Sequence, residues 1–160
     1  QARSETAFPP GVGVINVADF GAIGDRKTDN TAAFQRAIDS AGFHTMLYIP
    51  DGVYLFSGPL KFKPADKEWM VWFTVHGQSR DGTVLKLADN APLFQDPSKR
   101  VSFIQLKQGN EAFEQRFVNL TIDVGAGNPG AVGIKYSSCN GGSLMHLKVV
   151  SSDPDGAGHT

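Results

Sequence analysis

Short apolar runs separated by turn residues dominate the chain. Ile15, Val17 and Phe20 open it and lead into Gly21-Ala22-Ile23-Gly24-Asp25, a turn with two glycines. One stretch follows helical spacing instead. Ala33, Phe34, Ala37, Ile38 and Ala41 fall on a single stripe, which predicts an amphipathic helix. Thr28 or Asp29 is placed to cap its start with a side-chain oxygen, and Gly42 to end it. Every later periodic segment predicts a short strand: 46–49, 53–56, 60–62, 69–75, 84–87, 101–106, 117–122, 132–136 and 144–150. Pro50-Asp51-Gly52 and Ser57-Gly58-Pro59 are turns between them.

A repeat decides between strand architectures. Phe117-Val118-Asn119-Leu120-Thr121-Ile122 has the hydrophobic pattern of Leu144-Met145-His146-Leu147-Lys148-Val149, with an offset of 27 residues. Self-similarity at that spacing, with strands and no helices between, predicts a β-solenoid in which Leu120 and Leu147 share an inward column. The competing arrangement is a β-sandwich with two similar strands.

The N-terminal half carries a resemblance. Val17-Ala18-Asp19-Phe20-Gly21-Ala22-Ile23-Gly24-Asp25, then Thr28-Asp29-Asn30-Thr31-Ala32-Ala33-Phe34-Gln35-Arg36-Ala37-Ile38, resembles the N-terminal signature of the pectate lyase-like superfamily. The likeness continues through Leu47–Leu60, Val75-His76-Gly77-Gln78 and Gly82–Lys86. It implies an all-β fold, a right-handed parallel β-helix with an N-terminal capping α-helix. It also implies an extracellular polysaccharide substrate bound along the side of the solenoid. Asp25 and Asp29 then sit in a turn and at a helix start, and read as structural.

Composition narrows the function. The 160 residues carry 15 Lys plus Arg against 16 Asp plus Glu, a net charge of −1, so no nucleic-acid partner and no membrane surface is expected. Eighteen glycines and nine prolines suit many turns. Cys139 is the one cysteine, which excludes an internal disulfide framework. The polar, Pro-containing start at Gln1 predicts a processed protein, secreted or periplasmic/extracellular. The turn-rich stretch 151–160 predicts an interior loop. Residues 1–160 are thus expected to be the cap and first coils of one β-helix domain. Its remaining coils would come from the same protein or a second chain.

Candidate chemistry follows from the stacked repeat. Glycoside hydrolysis needs a protonated and an ionised carboxyl group. Stacking 117–122 on 144–149 sets Asp123 beside Val150 and brings Asp153 and Asp155 close, with His159 near. These four are the candidate catalytic residues, against the plainer reading of a solvated Asp-Pro-Asp-Gly turn or a calcium site. A lyase instead needs a base and a positive group. Lys148, Lys135, Arg100 and Arg116 are candidates, though single exposed cations are usually solvated. Trp72 and Lys148 are the candidate substrate-binding residues. Trp69 and Tyr54 also present flat faces, with core packing as the alternative. No metal ligand is assigned: His44, His76 and His146 lack metal-ligand spacing. Gly125-Ala126-Gly127-Asn128-Pro129-Gly130 matches a nucleotide fingerprint literally, but Pro129 and a strand-like continuation make it a turn. The expected function is a glycoside hydrolase without cofactor. The alternatives are a polysaccharide lyase acting by β-elimination, for which calcium is the cofactor to consider, and a non-catalytic glycan-binding or tailspike-type β-helix.

Overall fold

The computed structural model describes residues 13–65 and 67–153. Eleven strands and one α-helix follow in chain order: β1 (Val14–Asn16), β2 (Asp25–Asp29), α1 (Thr31–Ser40), β3 (Met46–Ile49), β4 (Gly52–Phe56), β5 (Leu60–Lys61), β6 (Phe73–Gly77), β7 (Thr83–Leu87), β8 (Val101–Gln105), β9 (Gln115–Asp123), β10 (Ala131–Ile134) and β11 (Ser143–Val150). Each strand pairs in parallel with its counterpart one coil away. The first face stacks β1, β3, β6 and the first half of β9. The second stacks β2, β4, β7 and the second half of β9, and the third stacks β5, β8 and β10. This is the parallel β-helix expected from the sequence.

Register follows the apolar pattern. Ile15, Leu47, Val75, Phe117 and Leu144 pair in succession up the first face. Tyr54, Leu85, Ile122 and Val149 do so up the second. Leu147 pairs with Leu120 and Val150 with Asp123, as the 27-residue repeat predicts. Inside, Phe34–Phe56–Phe103 and Phe62–Phe73–Phe117 form contiguous ring clusters. Between its two halves β9 turns the corner at Asn119, which takes φ of 55°. His146 takes φ of 50° at the matching place in β11.

The helix buries Ala33, Phe34, Ala37 and Ile38, the expected stripe, and Phe34 packs edge-on against Tyr54 and Phe56. Its start and end differ from expectation. The Asp29 carboxylate does receive the Thr31 amide at 2.9 Å, but Asn30 is the N-cap and directs its own amide to Ile23 and Thr28 instead. The helix stops at Ser40, and extended Ala41 rather than Gly42 terminates it. The strand expected at 69–75 begins only at Phe73, because residues 67–72 form a loop whose Met70 amide bonds back to Phe62.

Successive coils are clasped by acid–serine pairs. Ser57 donates to Asp29 at 2.5 Å, Ser79 to Asp51 at 2.7 Å, and Ser152 to Asp123. Each serine lies 28 or 29 residues after its acid, about one coil on.

Candidate functional site

Of the expected acidic cluster, Asp123 and Asp153 are described, and both are engaged in turns. Asp123 is nearly buried. Its Oδ1 accepts the Gly125 and Ser152 amides at 2.9 and 3.1 Å, and its Oδ2 accepts the Ser152 hydroxyl. The Lys86 ammonium stands 3.6 Å from it and 2.9 Å from Asp89, which also accepts the Ala126 amide. That amide and Lys86 hold the Asp89 carboxyl below the usual carboxylate range. Asp153 follows one coil later and accepts the Gly127 amide at 2.7 Å. The three acids therefore rank up one side of the solenoid, each closing a turn. Asp155 and His159 lie outside the described residues.

That arrangement suits neither a hydrolytic pair nor a cation. An oxygen already holding backbone N–H groups is a poor metal ligand, and an ammonium sits between two of the three carboxylates. Calcium takes six to eight oxygens. Among the described residues no three His, Cys, Asp or Glu side chains gather to hold a metal. Gly125–Gly130 is a turn with Gly125 and Gly127 at positive φ, and a strand follows it, so the nucleotide fingerprint is accidental.

An open groove lies elsewhere, on the third face. It has a volume of about 280 Å³ and is lined by Trp69, Arg100, Ser102, Gln105, Gln108 and Lys135 among others. Strand β8 forms its floor, and the loop before β6 supplies its Trp69 wall. Arg100 precedes β8 and Lys135 follows β10, so the register places these two cations at opposite ends of one groove. Both are exposed, and among the described residues neither has an ion-pair partner. Trp69 is half-buried at the groove wall and among the described residues has no ring partner. Gln108 donates to the Lys135 carbonyl at 2.8 Å and Gln105 to that of Ser102 at 3.2 Å. Their amide oxygens remain as acceptors for hydroxyl groups. Two unneutralised cations, an indole and two amide acceptors are the donor set for an acidic sugar.

The two expected substrate-binding residues stand away from this groove. Trp72 is stacked between His44, at 6.1 Å, and Phe113, at 5.4 Å and 6° from parallel. Both ring faces are covered, so the stacking role expected of Trp72 does not fit. Lys148 is exposed on the second face, paired in register with Thr121. Tyr54 is buried, and burial together with the Asp51 charge raises its phenol to about 12. Of the candidate cations, Arg100 and Lys135 line this groove, one at each end of the stacked strands. The signal for that was weak, since it depends on how coils of unequal length stack.

The family model described as "Rhamnogalacturonase A/epimerase, pectate lyase-like" matches residues 14–160. Alginate lyase 7 of Azotobacter vinelandii is 36% identical over 113 residues, covering 68% of this chain and 12% of that protein. Mannuronan C5-epimerase AlgE2 of the same organism is 44% identical over 79 residues, or 46% of this chain and 8% of the relative. The putative phage-related protein YobO of Bacillus subtilis (strain 168) is 38% identical over 78 residues, 49% of this chain and 8% of its own. The A-module of mannuronan C-5 epimerase AlgE4 from Azotobacter vinelandii superposes with a TM-score of 0.51 at 25% identity, covering 89% of this chain and 34% of the module. The chain thus spans about a tenth of these curated relatives and about a third of the solved module.

Proposed function

The chain belongs to the rhamnogalacturonase A/epimerase, pectate lyase-like family, and from that premise we propose that it forms the N-terminal cap and first coils of a polysaccharide-modifying enzyme of lyase or epimerase type. The observation that carries this is a single groove lined by Arg100, Lys135 and Trp69. Elimination from a uronate and inversion at its C5 both begin with removal of the proton next to the carboxylate. Negative charge then builds on that carboxylate, and a positive group beside it lowers the barrier. Arg100 and Lys135 are positioned for that neutralisation, and Trp69 for holding a sugar ring. In this reading the described groove residues bind the sugar and polarise its carboxylate.

Alginate lyase 7 and AlgE2 are named for such reactions, which favours this reading over hydrolysis. The local chemistry agrees: Asp123 and Asp153 are engaged by turn amides and do not line the groove. A polymeric substrate places the protein in the periplasm or outside the cell. No described helix is long and apolar enough to cross a membrane. A glycan-binding β-helix without catalysis is the second reading, and the likeness to a protein described as phage-related is compatible with it.

Titration of the intact protein with oligogalacturonate and oligomannuronate tests the proposal. Arg100→Ala and Lys135→Ala are each expected to weaken binding about tenfold, the scale of one charged hydrogen bond. Unchanged binding in both variants would refute the groove assignment. A new unsaturated-uronate absorbance identifies a lyase, solvent deuterium at C5 without cleavage an epimerase, and reducing ends without unsaturation a hydrolase. Binding without turnover identifies the second reading.

A further inference from the structure

A second depression, on the first face, is built from different chemistry. It encloses about 310 Å³ and is lined by His44, Thr45, Trp72, Thr74, Glu114 and Arg116 among others. Its only described ion pair is internal: Arg116 meets Glu114 at 3.1 Å, and Arg116 also donates to the Gly141 carbonyl at 3.0 Å. The cation there is already neutralised, so an anionic ligand gains little. What is left over is a set of neutral donors and acceptors. Among the described residues the Trp72 indole N–H, the His44 imidazole and the Thr74 hydroxyl have no hydrogen-bond partner. A carboxylate held against a guanidinium presents a second acceptor and donor side by side.

Backbone geometry sets these groups on one wall. His44, Trp72 and Glu114 occupy equivalent places in three successive coils, and all three take positive φ, at 59°, 51° and 44°. The left-handed backbone continues at Gly141 in the next coil and, as at Asn119 and His146, turns the corner there. Stacking of His44 on Trp72 and of Trp72 on Phe113 fixes the rings along that corner.

We infer that this depression binds a neutral, hydroxyl-rich sugar, as a site separate from the acidic groove on the third face. Sugar hydroxyls act as donors and acceptors together, and each finds a complement in an ion pair, an indole N–H and a threonine. The inference rests on the chain being a polysaccharide binder but not on the groove assignment. A glycan with both uronate and neutral segments is the substrate class that uses the two sites together.

Calorimetric titration of the intact protein with cellopentaose and mannopentaose tests it. Trp72→Phe keeps the stacked ring and removes the N–H, and Thr74→Val keeps the shape and removes the hydroxyl. Each is expected to weaken binding of the preferred pentasaccharide about tenfold, with oligogalacturonate binding unchanged. No binding of either neutral pentasaccharide up to ~10 mM, a range that covers weak sugar sites, would overturn the inference. So would equal binding by the wild type and both variants, or displacement of the neutral sugar by oligogalacturonate. Loss of oligogalacturonate binding in Arg100→Ala tests the other groove alone, so the two readings can fail independently.

Discussion

Asn128 is fully buried where β9 passes into β10, and its amide answers four groups. Nδ2 donates to the Ala88 and Val124 carbonyls at 2.8 Å, and Oδ1 accepts the Ala91 amide at 2.8 Å and the Gln95 amide at 3.3 Å. Asn128→Ala is expected to cost about 2–4 kcal/mol in urea unfolding, because it strands buried backbone groups. Asn128→Asp should cost more, since a carboxylate would face two carbonyls. Asp29 gives a pH dependence. Burial opposes its ionisation, yet the Ser57 and Thr31 hydrogen bonds prevail and hold its carboxyl below the ordinary 3.8. The unfolded chain therefore binds this proton first on acidification. The contribution is present above about pH 4 and disappears as pH falls through the depressed value. Melting temperatures between pH 3 and 6 should fall less steeply for Asp29→Asn than for the wild type. The structural roles of Asp25 and Asp29 are legible in sequence because Asp25 bonds Lys27 and Thr28 and Asp29 bonds Thr31, all within three residues; the Ser57 bond to Asp29, 28 residues on, is not. Asn128 was hidden: its carbonyl at Ala88 lies 40 residues back.

At the scale of elements, α1 is anchored by one large side chain. Phe34→Ala removes a fully buried ring from contact with Tyr54 and Phe56, and a loss of about 3–5 kcal/mol is expected by chemical denaturation. The corner within β11 is strained in the other direction. His146→Asn replaces an exposed residue at φ of 50° by one that tolerates the left-handed region. A gain of about 0.5–1 kcal/mol is expected from that exchange. The helix and most strands were legible from periodicity. Strand β2 was not, because all five of its residues are exposed and it lies at the edge of its sheet, so no alternation marks it. The start of β6 was misread because Trp69 and Val71 imitate a strand face. Residues Trp69 to Trp72 instead run alongside the coil, and that loop is what delivers Trp69 to the groove.

For the whole molecule, coil length is the quantity that sequence periodicity could not supply. Register steps are 28 residues from Met46 to Thr74, 42 from Phe73 to Gln115 and 27 from Leu120 to Leu147. Only the last pair of coils repeats cleanly enough to be seen. The groove depends on the irregular ones, since Arg100 and Lys135 reach one groove only after the loops between β7 and β10 have been placed. Strand β11 pairs with β9 alone among the described residues and leaves Leu144 and Met145 exposed. The 160-residue chain prepared by itself is therefore expected to self-associate through this edge. Leu144→Lys should shift its sedimentation towards the monomer. The acid–serine clasps have a mechanical consequence. Because Asp29–Ser57, Asp51–Ser79 and Asp123–Ser152 each join a coil to the next, a force applied between the chain ends loads them one after another. Pulled in an optical trap, the solenoid should lengthen in a staircase rather than a single rip, each step releasing the thread of one turn.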